Sequence, residues 1–297
     1  MVPSPSLNPI ADLQAMLTFP FMVHALAAGT IVAVLGGVVG WYVVLRRQAF
    51  VSHTLSVMAF PGATGAVLIG LSTSLGYYLT CVLAALAIGG AGRRGRRAQG
   101  GESAAIGTVQ TVGLAAGFLF LALDQAVLGG PETLLFGTFL GISRGQVLTL
   151  LVVAAAALAA LVALARPLLL ASIDGELARA RGVPVRLLDG AFVLILGLAV
   201  AATSQLTGAL LVLSLLVAPP AAAQQLTMRP LAGLALSVGL ALVIVWLGLA
   251  LAYFSIYPVG FYVTTLAFGV YAAARLARVV RARATRARAH RPRTAAA

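Results

Sequence analysis

The sequence predicts an all-α, polytopic integral membrane protein with about nine transmembrane helices, some of them broken or re-entrant. Hydrophobic residues make up 61% of the chain and charged residues only 9%, whereas soluble domains carry about 25% charged residues. The mean hydropathy is correspondingly high, at +1.04. Several apolar runs reach the roughly 20 residues that a helix needs to cross a hydrocarbon core, and none alternates like a barrel strand.

The predicted spans alternate with short loops, and two proline sites interrupt them. Pro61-Gly62 and Pro219-Pro220 predict broken helices, which in membranes face a cavity or another subunit. The apolar segment 133–142 is too short to cross, so we expect a half-helix or a re-entrant segment there. The predicted spans are residues 19–45, 54–71, 73–91, 104–123, 146–165, 190–204, 207–225, 230–253 and 259–278.

The arginines predict the orientation. All twenty basic residues are arginine, and loops rich in arginine stay in the cytoplasm. The chain is therefore expected to be a multi-pass plasma-membrane protein with its N-terminus outside and its C-terminus in the cytoplasm. We expect an extracytoplasmic lead at 1–18 without the features of a signal peptide, followed by a single transmembrane domain at 19–279. The arginine-rich tail at 280–297 is expected to be disordered or bound to anionic lipid.

The composition also argues against several classes of function. The phosphate-binding loop of nucleotide hydrolases needs a lysine, and the chain has none, so it does not contain that motif itself. No catalytic or metal-hydrolase spacing occurs, which disfavours a membrane enzyme and a permanently bound cofactor. Retention in the cytoplasm and attraction to lipid explain the net charge of +13 without nucleic acid. A stand-alone secondary carrier is a weaker alternative, because its spans should contain carboxylates.

A short charged segment, residues 174–184, lies between two apolar runs in the predicted cytoplasmic segment 166–189. Asp174 is a plausible helix N-cap, and Glu176 falls in the first turn, where the helix dipole favours an anion. Gly182 can end the helix in the left-handed conformation. Such a short helix can contact a cytoplasmic partner. The alternative is a solvated turn whose charges only keep it in water.

Five short motifs occur in an order that resembles a known transporter family. They are Val44-Leu45-Arg46-Arg47 followed by Pro61-Gly62, Glu102-Ser103-Ala104-Ala105-Ile106-Gly107, Leu135-Phe136-Gly137-Thr138, the charged segment 174–184, and Gly208-Ala209-Leu210-Leu211-Val212 with Leu216-Val217-Ala218-Pro219. With these motifs, residues 19–275 resemble the zinc, manganese and iron permeases of ATP-binding cassette (ABC) importers. The resemblance implies a transmembrane subunit that pairs with a second permease copy or a paralogue, docks a separate ATPase in the cytoplasm, and receives metal from an extracytoplasmic metal-binding protein.

The resemblance also implies roles for particular residues of the charged segment. This segment is similar to the one through which the family's permeases contact their ATPase. The residues expected to make that contact are Asp174, Glu176, Ala178, Arg179 and Gly182.

The expected substrate is a divalent transition metal ion, and the resemblance places its path along the helix after the arginine pair. In the family this helix carries an acidic residue and, four positions later, a histidine, so that two ligands share one helical face. Alignment on Pro61-Gly62 puts His53 and Val57 at these positions. An imidazole without a carboxylate favours zinc over manganese or iron, whereas the Val57 side chain cannot bind a metal. A metal chelate or another small solute is the alternative substrate.

Other polar residues are weaker candidates for the path. His24 lies near the outer end of the first span and could supply a second ligand. A histidine at this position more usually lies at the interface between the membrane and water. Asp124 and Glu132 flank an outer loop and could attract an incoming cation, or they are plain loop residues. His290 belongs to the arginine tail and is not expected to bind metal. The hydroxyl groups beside His53 belong to Ser52, Thr54 and Ser56. They could offer oxygen ligands to an ion, although such groups more often bond to the backbone of their own helix.

Overall fold

The computed structural model describes residues 14–94, 101–123, 137 and 141–289, and over these residues the chain is helical and has no strand. Seven stretches are long and apolar enough to cross a membrane by length and composition, and residues 107–123 and 212–226 form shorter apolar helices. These features confirm the all-α polytopic prediction. The helices are α1 (Pro20–Leu45), α2 (Ala49–Leu68), α3 (Thr73–Arg94), α4 (Gly101–Leu123), α5 (Arg144–Ile173), α6 (Gly175–Ala180), α7 (Val185–Leu216), α8 (Ala218–Leu226), α9 (Pro230–Tyr253) and α10 (Val259–Ala289).

Helix α1 packs closely against α7, α8 and α9 because its contact face is made of glycine. A Cβ atom on Gly40 would overlap the carbonyl oxygen of Leu216, and one on Gly37 would lie 2.8 Å from the Cα atom of Val238. Small residues allow helix backbones to approach in membranes, where dispersion contacts and interhelical hydrogen bonds drive association. Ser237 adds such a bond, donating to the carbonyl oxygen of Gly37 at 2.7 Å. Helix α1 is therefore a central element of the bundle.

Helix α2 runs unbroken through Pro61, so the break predicted at Pro61-Gly62 is wrong. The proline lacks an N–H group and cannot donate to the carbonyl of Val57, but the helix continues through it. A Cβ atom on Gly62 would lie 2.6 Å from the carbonyl oxygen of Gly76 on α3. On the other side, a Cβ atom on Gly117 of α4 would lie 3.1 Å from the Cα atom of Pro61. Close packing on two sides therefore opposes the kink.

Helix α7 contains a reversal of the chain. Gly208 has φ 73° and ψ 163°, a conformation open essentially only to glycine. In a straight helix, Phe192 and Leu216 would lie about 36 Å apart. Instead, the ring centroids of Phe192 and Tyr42 are 6.2 Å apart, while Gly40, close to Tyr42 on α1, lies directly against Leu216. The parts of α7 before and after Gly208 therefore form a helical hairpin.

The hairpin accounts for two of the predicted spans. The first arm, residues 185–207, contains the span predicted at 190–204. The second arm, residues 209–216, continues through α8 along the span predicted at 207–225. Val217, between the second arm and α8, interrupts the helix just before the two prolines, which confirms the break predicted at Pro219-Pro220.

Two helices extend beyond their predicted spans. Helix α5 continues to Ile173, and α7 already begins at Val185, so the connection between them is shorter than the predicted segment 166–189. Helix α10 continues to Ala289, so it includes part of the tail for which the sequence predicts disorder. Alanine and arginine, which alternate there, are strong helix formers. Most of the segment predicted to be re-entrant, and residues 290–297, lie outside the described residues.

Candidate functional site

The charged segment folds as the short helix α6 with a cap at each end. Asp174 Oδ1 accepts hydrogen bonds from the backbone N–H groups of Glu176 at 3.0 Å and Leu177 at 2.9 Å. At the other end, Gly182 has a φ of 77°, and the N–H groups of Gly182 and Val183 donate back to carbonyls of the segment, as in a Schellman motif. The predicted N-cap and the predicted left-handed glycine are both confirmed.

The surface of α6 combines charges with apolar side chains. Asp174, Glu176 and Arg179 are exposed and available to a partner. Ala178 is fully buried within this chain, so it cannot make the ATPase contact that the sequence predicts; it anchors α6 to the fold instead. The charge pattern of the sequence did not reveal the exposed apolar side chains around α6, which are Ile173 (69% exposed), Leu177 (41%) and Leu187 (61%).

A buried arginine connects the two helices that flank α6. Arg46, the residue after α1, has a side chain only 8% exposed, and its guanidinium forms a salt bridge with Asp189 of α7. Nη1 of Arg46 also donates to Oγ of Ser172, near the end of α5, at 3.1 Å. The guanidinium carbon lies 5.2 Å from the ring centroid of Phe192, a cation–π contact. The sequence identified Arg46 only as a cytoplasmic marker, although placing Arg46 and Asp189 on one face could have suggested the pair.

His53 lines a cavity of about 620 Å³ between α2, the second arm of α7, α8 and α10. Most of the wall is apolar, and the polar side chains are those of one histidine, one serine, one threonine and one tyrosine. Nδ1 of His53 is buried and has no hydrogen-bond partner among the described residues. His53 thus contributes part of its imidazole to the cavity wall, while its Nδ1 is buried away from solvent. The lining residues are Ala49, Phe50, His53, Leu213, Ser214, Val217, Ala218, Ala221, Thr264, Ala267, Phe268 and Tyr271.

The position one turn after His53 adds no ligand. The Val57 side chain is 4% exposed and does not line the cavity. Thr54 donates to the carbonyl of Phe50 at 3.0 Å, a bond within its own helix. Ser52 and Ser56 are fully buried and also lie outside the cavity wall. Among the residues that line the cavity, His53 is thus the strong metal ligand.

The other candidate ligands are not brought to His53. Nδ1 of His24 lies 3.1 Å from the carbonyl oxygen of Ile142, to which it donates. His24 is also about 33 Å along α1 from the turn that leads to α2, too far to share an ion with His53. Asp124 and Glu132 lie outside the described residues. Within the described part of the chain, no group of three or more His, Cys, Asp or Glu side chains could hold a metal ion.

Comparison with known proteins places this arrangement in a family. The model of the ABC 3 transport family matches residues 18–278, which is most of the chain. The chain belongs to the ABC 3 transport family. The resemblance inferred from the motifs is therefore confirmed.

Relatives and a solved structure agree with this membership. The manganese transport system membrane protein MntC of Halalkalibacterium halodurans is 32% identical over 214 residues, covering 72% of each chain. The chelated iron transport system membrane protein YfeC of Yersinia pestis is 30% identical over 212 residues, covering 71% of this chain and 70% of the relative. In PsaBC from Streptococcus pneumoniae in complex with Fab, a chain superposes with a TM-score of 0.79 at 24% identity, covering 90% of this chain and 95% of that one. At this identity the solved structure supports the fold alone.

In this member of the ABC 3 family, the structure separates two candidate sites. Helix α6 packs between α5 and α7 and presents an exposed surface, and the His53 cavity is lined by four helical elements. Arg46 lies after α1 and before α2, four residues before Phe50 of the cavity wall.

Proposed function

We propose that this chain is the transmembrane permease subunit of an ABC importer that carries a divalent transition metal ion. The observation that carries the proposal is α6, a doubly capped helix between two membrane helices, within a chain that belongs to the ABC 3 transport family. A separate ATPase subunit supplies the energy, because the chain has no lysine for a phosphate-binding loop.

Helix α6 is suited to receive a force from that ATPase. Its caps satisfy backbone groups at both ends, so it can move as one piece. It contacts α5 and α7, so a displacement of α6 would reach both helices. Asp174, Glu176, Arg179 and Gly182 provide polar contacts, and the exposed Leu177 provides an apolar anchor.

The permease is proposed to work as a pair, either with a second copy or with a paralogue. In α2, 61% of the most apolar window is buried inside the chain, whereas the values for α5 and α10 are 22% and 17%. The outward faces of α5 and α10 therefore need either lipid or another subunit to cover them. Alternating access then takes place between the two subunits, and an extracytoplasmic binding protein delivers the substrate.

The His53 cavity is the proposed part of the substrate path in this subunit. An imidazole that lines a cavity from a membrane helix is a candidate ligand for a passing ion. Zinc is the finer part of the proposal, because imidazole suits zinc better than manganese. The names of the relatives, which refer to manganese and chelated iron, favour the other metals, so the transport assay has to compare them.

A metal chelate is the second candidate substrate. A bare transition metal ion needs several ligands, and the cavity offers one imidazole in a mainly apolar wall. A chelate brings its own ligands and needs space, and a volume of about 620 Å³ falls in the range of small-molecule pockets.

Uptake by proteoliposomes that contain this chain and its co-purified ATPase tests the proposal. Zinc, manganese and iron are supplied as free ions, with and without ATP. ATP-dependent accumulation of a free ion would support the metal permease and identify the preferred metal. If no free ion accumulates while the ATPase remains bound, the bare-ion proposal is wrong, and chelated iron becomes the next substrate to test.

A further inference from the structure

The two helices that flank α6 both bond to the side chain of Arg46, the residue after α1. Ser172 lies at the end of α5, just before α6, and Asp189 lies near the beginning of α7, just after it. The Arg46 guanidinium bonds to both, with Nη1 directed at Ser172 and Nη2 at Asp189. The Arg46 side chain is 8% exposed, whereas that of Asp189 is 37% exposed, so water reaches the salt bridge mainly from the Asp189 side. A movement of α6 that displaces α5 or α7 therefore pulls on Arg46.

A short hydrogen-bonded turn joins the backbone at Arg46 to α2. The N–H of Gln48 donates to the carbonyl of Val43 at 2.9 Å, and the N–H of Arg47 donates to the carbonyl of Val44 at 3.1 Å. These are the two bonds of a Schellman motif, with Arg47 in the left-handed conformation at φ 57°. Helix α2 begins at Ala49, directly after this turn. A displacement of Arg46 is thus passed to the first turns of α2.

The first turns of α2 form one wall of the cavity, through Ala49, Phe50 and His53. We propose that Arg46 is a positioning residue that transmits the movement of α6 to this wall. The inference rests on the proposed function, in which α6 receives motion from an ATPase. Arginine suits this role because its planar fork can hold two acceptors in fixed directions, whereas lysine presents a single charged nitrogen.

The test separates transmission from docking and from folding. In the reconstituted complex, Arg46→Gln and Asp189→Asn remove the salt bridge from either side, and Ser172→Ala removes the second bond. Arg47→Gln is the matched control, because it makes the same change of charge at the exposed neighbouring residue. The readouts are ATPase recovery with the permease, the rate of ATP hydrolysis, and zinc or manganese uptake per ATP hydrolysed.

We expect Arg46→Gln and Asp189→Asn to retain the ATPase and ATP hydrolysis but to lower uptake per ATP by about tenfold, within the usual range of coupling between sites. Ser172→Ala should give a smaller loss, and Arg47→Gln should resemble the parent complex. An unchanged ratio of uptake to hydrolysis in both Arg46→Gln and Asp189→Asn would overturn the proposal. Loss of the ATPase from these variants would also overturn it, since Arg46 would then act in docking.

A second readout does not depend on the substrate. Phe50→Cys places a thiol on the cavity wall, where the side chain is 47% exposed, while the native Cys81 is fully buried. Maleimide labelling of this chain is compared with and without ATP and vanadate. We expect the addition of ATP and vanadate to change the labelling rate of the protein that retains Arg46. In the Arg46→Gln variant, the same addition should leave the labelling rate unchanged. An equal change in both backgrounds would overturn the link, even if no metal is transported and the proposed substrate is wrong.

Discussion

Helix α6 and the cavity at His53 are stabilised in different ways. The caps of α6 are bonds between near neighbours in the chain, from Asp174 to Glu176 and Leu177 at one end and from Gly182 at the other. The cavity is lined by residues from Ala49 to Tyr271, which the chain brings together only after the reversal in α7. Substitutions in α6 should therefore act on its surface contacts, whereas the cavity should respond to changes far from its wall.

The largest effect is expected from reversing the charges of α6. Asp174→Lys combined with Glu176→Lys should weaken ATPase docking by about a hundredfold or more, since unfavourable charge pairs at an interface cost several kcal/mol. Recovery of the ATPase with the extracted permease measures this, and the amount of permease in the membrane controls for insertion. Normal recovery would mean that α6 is not the docking surface.

The next effect concerns the fold around the cavity. Gly208→Ala should destabilise the protein by about 1–3 kcal/mol, because alanine strongly disfavours φ 73° with ψ 163°. Thermal unfolding in detergent measures the loss. Gly239→Ala is the matched control, since no atom outside its own helix backbone lies within 4 Å of the added Cβ. Equal stability of the two variants would contradict the hairpin.

A smaller effect is expected at the cavity wall itself. His53→Ala should lower metal uptake by about tenfold, which corresponds to about 1.4 kcal/mol of lost interaction, and should leave docking intact. His24→Ala, which removes an imidazole bonded to the Ile142 carbonyl, should leave uptake close to that of the parent. If uptake is unchanged in His53→Ala, this histidine has a structural role.

The smallest effect separates the cap of α6 from its charge. Asp174→Asn keeps a good N-cap and should change stability by less than about 0.5 kcal/mol, whereas Asp174→Ala should cost about 1 kcal/mol. Thermal unfolding and hydrogen exchange at the start of α6 distinguish the two. Equal losses would show that the carboxylate charge, rather than the cap, stabilises the helix.

Features set by local chemistry could be predicted from the sequence. Apolar runs require spans, and the Asp174 cap and the left-handed Gly182 depend on residues only a few positions apart. The break predicted at Pro61 does not occur, and the close packing of α3 and α4 against α2 at this point is something that a local rule does not include. The sequence assigned Ala178 to the ATPase contact and did not show that the residue is buried, because its burial depends on packing against the rest of the fold.

The sequence by itself determined that this protein is a helical membrane protein of the ABC importer type with a short capped helix between two apolar runs, because hydropathy, capping and motif order are local properties. The tertiary structure alone decided which distant residues meet. It paired Arg46 with Asp189, separated His24 from His53, and enclosed the His53 cavity with α8 and α10. These outcomes depend on the direction of each helix and on the close approach of their backbones, which no short stretch of sequence specifies.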